Sequence, residues 1–85
     1  MEKYKLLDIK PLHDNKLLLT YEGEEPRVFD VTPYIKGNWY GELRDEKIFR
    51  SVRVDYNTAV WCNGQDLAPH ELYEYSVKVK NNKET

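Results

Sequence analysis

Residues 16–31 read KLLLTYEGEEPRVFDV, and this stretch decides the fold. Apolar side chains recur at every second position over 16–21, which predicts a strand with one apolar face. The acidic segment 22–26 contains glycine and proline and is typical of a hairpin loop. A further strand is predicted over 27–31, and a loop this short joins antiparallel neighbours. In that strand Phe29 and Val31 are expected to face the core, whereas the charged Arg27, and in part Asp30, are expected to stay in contact with water.

The segment before this hairpin extends the sheet. Apolar and charged residues alternate over 4–12, which predicts a strand with one wet face. Pro11 lacks a backbone donor and is expected at the strand's end or on an edge. His13-Asp14-Asn15 forms a turn, so the three strands make an antiparallel meander.

Two short helical turns are expected after the meander. Thr32 and Pro33 fit a helix start, with threonine as the cap and proline at the first helical position. Gly37-Asn38 ends this turn. Asp45 fits as the cap of a second turn over 46–50.

The remaining segments predict a second hairpin and one last helix. Val52 and Val54 begin a fourth strand, residues 55–57 turn it, and a fifth strand covers 58–61. A helix is predicted over 69–75, with Pro69 at its first position.

The expected fold class is therefore α+β: an antiparallel β-meander of about five short strands with short helical turns and one C-terminal helix. The chain has 85 residues, the size of one domain. Residues 1–76 are predicted to form this domain, and residues 77–85 a polar, frayed tail. Such a thin core leaves one sheet face without an obvious cover.

Composition argues against several classes of function. The net charge is −2, so the basic footprint of a nucleic-acid module is absent overall. No apolar run approaches the roughly 18 residues that span a bilayer, and the N-terminus lacks the apolar stretch of a signal peptide. The single cysteine cannot form an internal disulfide, so we expect a cytoplasmic protein without membrane association.

Three stretches carry a family resemblance. They are residues 17–23 (LLLTYEG) followed by 28–33 (VFDVTP), residues 49–55 (FRSVRVD), and residues 61–69 (WCNGQDLAP) followed by Leu72-Tyr73, of which the segment 61–73 is the most specific. Together they resemble the bacterial "domain of unknown function 2442" family over roughly residues 4–76. Cys62 stands where proline is more common in this family, and Ala68 where a capping aspartate is common.

The resemblance implies a small α+β fold and says little about function. It also implies that the genes of family members often lie beside the gene of another small uncharacterised protein, an arrangement that resembles toxin–antitoxin pairs. Some members carry an added DNA-binding segment.

No catalytic, cofactor or metal site is indicated. Cys62 has His70 and Asp66 near it in sequence, and a nucleophilic thiol needs such a neighbouring base. Nearness in sequence does not bring these three side chains together in the fold. We therefore interpret Cys62 as a thiol half-buried beside Trp61. His13, His70 and Cys62 match no short zinc spacing.

The segment Asn63-Gly64-Gln65-Asp66 resembles the start of a calcium loop, but a helix follows too early for the complete set of ligands. We interpret Asn63, Gly64, Asp66 and Pro69 as turn and cap residues. The Asp66 side chain is expected to bond nearby backbone amides or to cap the last helix.

One basic stripe stands out, with a positive residue at every third position: Arg44, Lys47, Arg50 and Arg53. Acidic residues interrupt it, so a solvated face is favoured over a binding site three to one as a rough judgement. Trp39 and Tyr40 lie just before it, and exposed aromatic residues are typical of interface hot spots.

The sequence favours a module without enzymatic activity that binds another protein, with these six residues as the candidate contact set. Edge strands and the open sheet face support this interpretation and also admit a homodimer. The alternative is a nucleic-acid-binding accessory that uses the 44–53 stripe. An enzyme based on Cys62 ranks last.

Overall fold

The computed structural model describes residues 5–36 and 41–79. The predicted elements occur in the predicted order, and their ends agree with the predicted ones to within about two residues; the 3₁₀ helix and β6 were not predicted. They are β1 (Leu6–Pro11), β2 (Lys16–Tyr21), β3 (Arg27–Asp30), α1 (Thr32–Lys36), a 3₁₀ helix (Gly41–Arg44), α2 (Glu46–Phe49), β4 (Arg53–Asp55), β5 (Thr58–Val60), α3 (Pro69–Glu74) and β6 (Val77–Lys78).

The α+β class is confirmed, but the strands form two sheets. The larger sheet has the order β1-β2-β3-β6, and the smaller one is the β4-β5 hairpin. The five predicted strands are present and pair antiparallel, but they do not form one continuous meander, because β6 occupies the edge of β3 where a meander would place β4. The small hairpin meets the larger sheet at β1 instead, where the Leu6 N–H donates to the Asn57 side chain at 3.2 Å.

Alternation places one face of the larger sheet against the core. Ile9 pairs with Leu19 and Leu17 pairs with Phe29, all buried. The helices, the small hairpin and the segments that connect them contribute further buried apolar residues to the core: Val31, Ile35, Leu43, Phe49, Ala59, Trp61, Leu67 and Leu72.

Arg27 lies on the same face, so the expectation that it stays in water was wrong. Its side chain is 11% exposed and its guanidinium lies 4.2 Å from the centroid of the Tyr73 ring. Its Nε donates to Ser76 Oγ at 2.6 Å, and its Nη1 lies 3.6 Å from Glu24 Oε1. A cation in this position is satisfied by a ring face and hydrogen bonds instead of by water.

The start of the predicted tail is also structured. Val77 and Lys78 pair with Val28 and Arg27, and the Val79 N–H donates to the Pro26 carbonyl at 2.9 Å. The prediction of a frayed segment from residue 77 was therefore wrong for residues 77–79. The exposed edge of β3 accepts a short strand because its outward backbone groups need partners. Residues 80–85 lie outside the described part of the chain.

The side-chain acceptor at the start of the first helix lies two residues earlier than predicted. The Thr32 N–H donates to Asp30 Oδ1 at 2.9 Å, so the carboxylate of Asp30 supplies the acceptor expected from the threonine. Thr32 is itself the first helical residue. Asp45 caps α2 as predicted, with its side chain accepting from the Lys47 N–H.

Candidate protein-interaction site

A cavity of about 280 Å³ opens between the β1–β2 turn and the segment that carries the 3₁₀ helix and α2. We call it the turn–helix pocket. It is lined by Leu12, His13, Asp14, Asn15, Leu43, Arg44, Glu46, Phe49 and Arg50.

The turn side of the pocket is held in an unusual backbone conformation. Asp14 and Asn15 have φ of 63° and 61°, a region that Asp and Asn tolerate better than other residues with a Cβ. The Leu12 N–H donates to the Lys16 carbonyl at 2.7 Å, and the Asn15 carbonyl accepts from Val31 N–H at 2.8 Å. These bonds fix the turn against both neighbouring strands.

The helical side of the pocket is fixed by the Asp45 cap. Asp45 Oδ1 accepts from the Lys47 N–H at 2.9 Å, and the Asp45 carbonyl accepts from the Phe49 N–H at 2.9 Å. This single turn buries Phe49 in the core. Arg44 and Arg50 lie on either side of it along the chain.

The pocket is lined mainly by polar groups, and buried apolar residues close its base. Leu43 and Phe49 are core residues, 1% and 4% exposed, and Leu12 is half-buried. Charged side chains around them are exposed: Asp14, Arg44, Glu46 and Arg50. With His13 neutral, the two guanidinium charges balance the two carboxylates.

The rim charges are only loosely paired. Arg50 Nη1 lies 4.0 Å from Glu46 Oε2, and both side chains are more than half exposed, at 51% and 79%. An exposed pair of this type contributes about 0–1 kcal/mol to stability. The Arg50 guanidinium therefore loses little when it turns toward another molecule.

The pocket divides the predicted basic stripe. Arg44 and Arg50 line it, whereas Lys47 and Arg53 are exposed and are not among the lining residues. Trp39 and Tyr40, the aromatic members of the predicted contact set, lie outside the described residues.

The candidate nucleophile lies elsewhere. Cys62 is exposed, not half-buried as expected, and its N–H donates to Ser51 Oγ at 3.1 Å. His70 and Asp66 are also exposed, and none of the three residues lines the turn–helix pocket. Within residues 5–36 and 41–79, no three His, Cys, Asp or Glu side chains form a group that could hold a metal ion.

The segment around Asn63 is a hydrogen-bonded turn. Gly64 has a φ of 92°, and its N–H donates to the Trp61 carbonyl at 2.9 Å. Asn63 Oδ1 accepts from Gln65 N–H at 3.2 Å, and Asn63 Nδ2 donates to Glu42 Oε1 at 2.7 Å. The turn thus connects the 3₁₀ helix to β5.

After this turn, Asp66 forms a backbone bridge with Val60. Pro69 opens α3, and the N-cap position before it belongs to Ala68, which makes no side-chain cap bond.

The outer face of the large sheet carries a cross-strand row of Lys10, Leu18, Val28 and Val77. Leu18 and Val28 are half-buried, and Val77 is 68% exposed. Of the described helices, none is long and apolar enough to cross a bilayer.

Comparison with protein families resolves the relationship of the chain. The model described as "Protein of unknown function (DUF2442)" matches residues 6–78. The chain belongs to the DUF2442 family. Neither curated proteins nor solved structures gave a match.

In this DUF2442 protein, the residues that sequence reasoning missed are those of the β1–β2 turn. His13, Asp14 and Asn15 were interpreted as a turn only, and they form one wall of the pocket. No sequence signal connects them to Arg44 and Arg50, because the contact arises from packing between segments about thirty residues apart in the chain. The positive residues at every third position gave a signal for Arg44 and Arg50.

Proposed function

We propose that this DUF2442 protein is an interaction module without enzymatic activity that binds another protein through the turn–helix pocket. The observation that carries the proposal is the pair of exposed guanidinium groups of Arg44 and Arg50 at the mouth of one pocket, whose base is closed by the buried Leu43 and Phe49. Arginine is enriched among the hot spots of protein interfaces.

The charge pattern favours a protein partner. Carboxylates of Asp14 and Glu46 share the rim with the two arginines, and a polyanion would meet repulsion from them. A protein surface can present charges of both signs in a matching order. The family resemblance adds a candidate partner, a protein encoded by a neighbouring gene in a toxin–antitoxin-like pair.

The test begins with affinity purification of the full chain from its native host and identification of bound proteins by mass spectrometry. The purified candidate is then titrated against the wild-type chain and two variants. Arg44→Gln/Arg50→Gln is expected to weaken binding by about thirtyfold, which corresponds to a hot-spot loss of about 2 kcal/mol.

Lys47→Gln/Arg53→Gln is the matched control because it removes two positive charges from the same stripe outside the pocket. It is expected to change affinity by less than about threefold. Equal losses in both variants would indicate general charge attraction and would contradict the proposed site. Unchanged binding in the double variant would also contradict it.

The second candidate function is nucleic-acid binding. Its support is the exposure of all four basic residues of the stripe, Arg44, Lys47, Arg50 and Arg53. Phosphate contacts make affinity fall steeply as salt rises, with a slope of about −0.9 per neutralised phosphate on duplex DNA. A salt series with random DNA and RNA tests this function, and absence of binding at low salt removes it.

A further inference from the structure

Tyr56 is placed where it costs stability and gains no burial. It is 91% exposed at the tip of the β4–β5 hairpin, where Asp55 pairs with Thr58. The two turn residues between this pair have positive φ, 51° for Tyr56 and 63° for Asn57. Two-residue turns with positive φ at both positions strongly favour Asn, Asp and Gly, and a bulky residue there is an outlier.

Packing does not explain the tyrosine. A ring this exposed leaves its apolar surface in water, so it returns little of the conformational cost. Strained residues of this kind concentrate where they serve a function. A protruding tyrosine is also the side-chain type most suited to anchor a protein contact.

The surroundings of the tip are acidic. Asn57 Oδ1 accepts from the Leu6 N–H at 3.2 Å, and the neighbouring Lys5 carbonyl accepts from the Glu22 N–H at 2.9 Å. The tip therefore lies near Glu22, the first residue of the acidic loop 22–26. Glu22, Glu25 and Asp55 are exposed, and the exposed Lys5 and Arg53 offset two of their three charges.

This tip is distinct from the turn–helix pocket. Leu6 begins β1 beside the hairpin tip, and the pocket begins at Leu12, just beyond the end of β1. At about 3.3 Å per residue, the two places are roughly 20 Å apart.

We infer that Tyr56 is the anchor of a second contact surface, which inserts into an apolar pocket with a basic rim on a different protein. A twofold dimer through this tip would set two protruding rings and two acidic loops against each other, which disfavours a second copy as the occupant. The inference rests on the proposed function only in that the partner is a protein, since the surface is a different one.

The first experiment tests whether the tyrosine at position 56 lowers the stability of the fold. Urea unfolding is compared for the wild type, Tyr56→Asn and the control Tyr75→Asn, which replaces a tyrosine that is 67% exposed at a helix end with ordinary φ. Tyr56→Asn is expected to lower the unfolding equilibrium constant about fivefold, since asparagine tolerates this backbone region. No increase in stability, or the same increase at position 75, would overturn the inference.

The second experiment tests the contact. A photo-crosslinking phenylalanine is placed at position 56, or at position 75 as the control, in the full chain expressed in its native host. The protein crosslinked from position 56 alone is purified and titrated. Tyr56→Asn is expected to weaken its binding at least tenfold although the variant is more stable than the wild type.

Crosslinks to a second copy of the chain, equal crosslinks from both positions, or none would each overturn the inference. The Arg44→Gln/Arg50→Gln variant separates the two proposals. If it loses the partner and Tyr56→Asn does not, the pocket stands and the anchor fails. If only Tyr56→Asn loses it, the anchor stands and the pocket fails.

Discussion

Ala68 occupies a position where a polar side chain would stabilise the last helix. It has the extended φ and ψ of an N-cap residue, −68° and 136°, without a side-chain cap bond. Ala68 therefore supplies no side-chain acceptor to the N–H groups of the first helical turn. We expect Ala68→Asp to raise the free energy of unfolding by about 1 kcal/mol, as measured by urea denaturation.

Two companion variants separate the capping bond from other effects. Ala68→Asn supplies the acceptor without the charge and is expected to keep most of the gain. Ala68→Leu supplies neither and is expected to give none. A gain in the leucine variant would indicate packing, not capping.

Asp30 gives the fold a defined response to acid. Its pKa is lowered by the side-chain hydrogen bond with Thr32, by the Thr32 backbone N–H and by the charge of Lys16, against a small opposing effect of burial. Because the folded-state pKa lies below the unfolded value, the ionised form stabilises the fold above the unfolded pKa. This contribution is lost as the pH falls through the lower, folded pKa.

The prediction concerns the difference in stability between the wild type and Asp30→Asn. Urea titrations should show a constant difference from pH 7 down to about pH 5, and a decrease below about pH 4, near the ordinary value for aspartate. Thr32→Val removes the largest cause of the shift and should reduce the acid-dependent part. A difference that grows with acid would contradict the assignment.

Arg27 shows what alternation alone can predict about a residue. A period of two places it on the same face as Phe29 and Val31, and the structure confirms that face. The expectation of a wet side chain relied on charge instead. The charge of Arg27 gave the wrong expectation because its hydrogen-bond partners, Ser76 and Tyr73, lie more than forty residues away in the chain. No local pattern points to them.

At the scale of elements, β6 is the strand whose pairing can be tested most directly. The Val79 N–H donates to Pro26, so alternation turns the N–H of Val77 toward β3 and that of Lys78 away from it. We expect Val77→Pro to lower the free energy of unfolding by about 1–3 kcal/mol, because it removes a ladder donor.

Lys78→Pro is the matched control, one residue along the same strand. Its N–H faces away from β3, so the cost should stay below about 0.5 kcal/mol. Urea denaturation measures both variants. Equal effects would mean that β6 does not pair with β3 in the register described.

The elements themselves could be predicted because their signals are local. Alternation defined β1 to β3, and Asp45 and Pro69 marked the starts of α2 and α3. The segment after Ser76 carries only a short alternation, Val77-Lys78-Val79, and the polar residues that follow it led to the expectation of a tail. Only the unpaired edge of β3, a tertiary feature, makes it a strand.

At the scale of the whole molecule, the sheet division and the pocket depend on contacts between distant segments. Prediction from local patterns joined all strands in one meander because hairpin signals do not say which edges meet. It also singled out Arg44 and Arg50, but not the β1–β2 turn that forms the opposite wall of the turn–helix pocket. Tertiary packing brings the turn and α2 together around Leu43 and Phe49, and it also joins the small hairpin to the rest.

Trp61 is the main link between the small hairpin and the remainder of the core. It is 1% exposed, its Nε1 donates to the Phe49 carbonyl at 3.0 Å, and its ring lies 6.5 Å from that of Phe49. Trp61→Phe deletes this donor and leaves unfilled volume. We expect the free energy of unfolding to fall by about 2 kcal/mol, whereas the exposed control Tyr75→Phe should change it by less than about 0.5 kcal/mol.

The strands in which Trp61→Phe accelerates amide hydrogen exchange show whether the two sheets unfold as one unit. If Trp61 joins them cooperatively, amide hydrogen exchange in Trp61→Phe should accelerate by a similar factor in β2 and in β5, because both exchange through global unfolding. Faster exchange confined to β4 and β5 would show that the small hairpin opens alone. The tryptophan would then stabilise only its own hairpin, and Tyr56 at its tip would move independently of the large sheet.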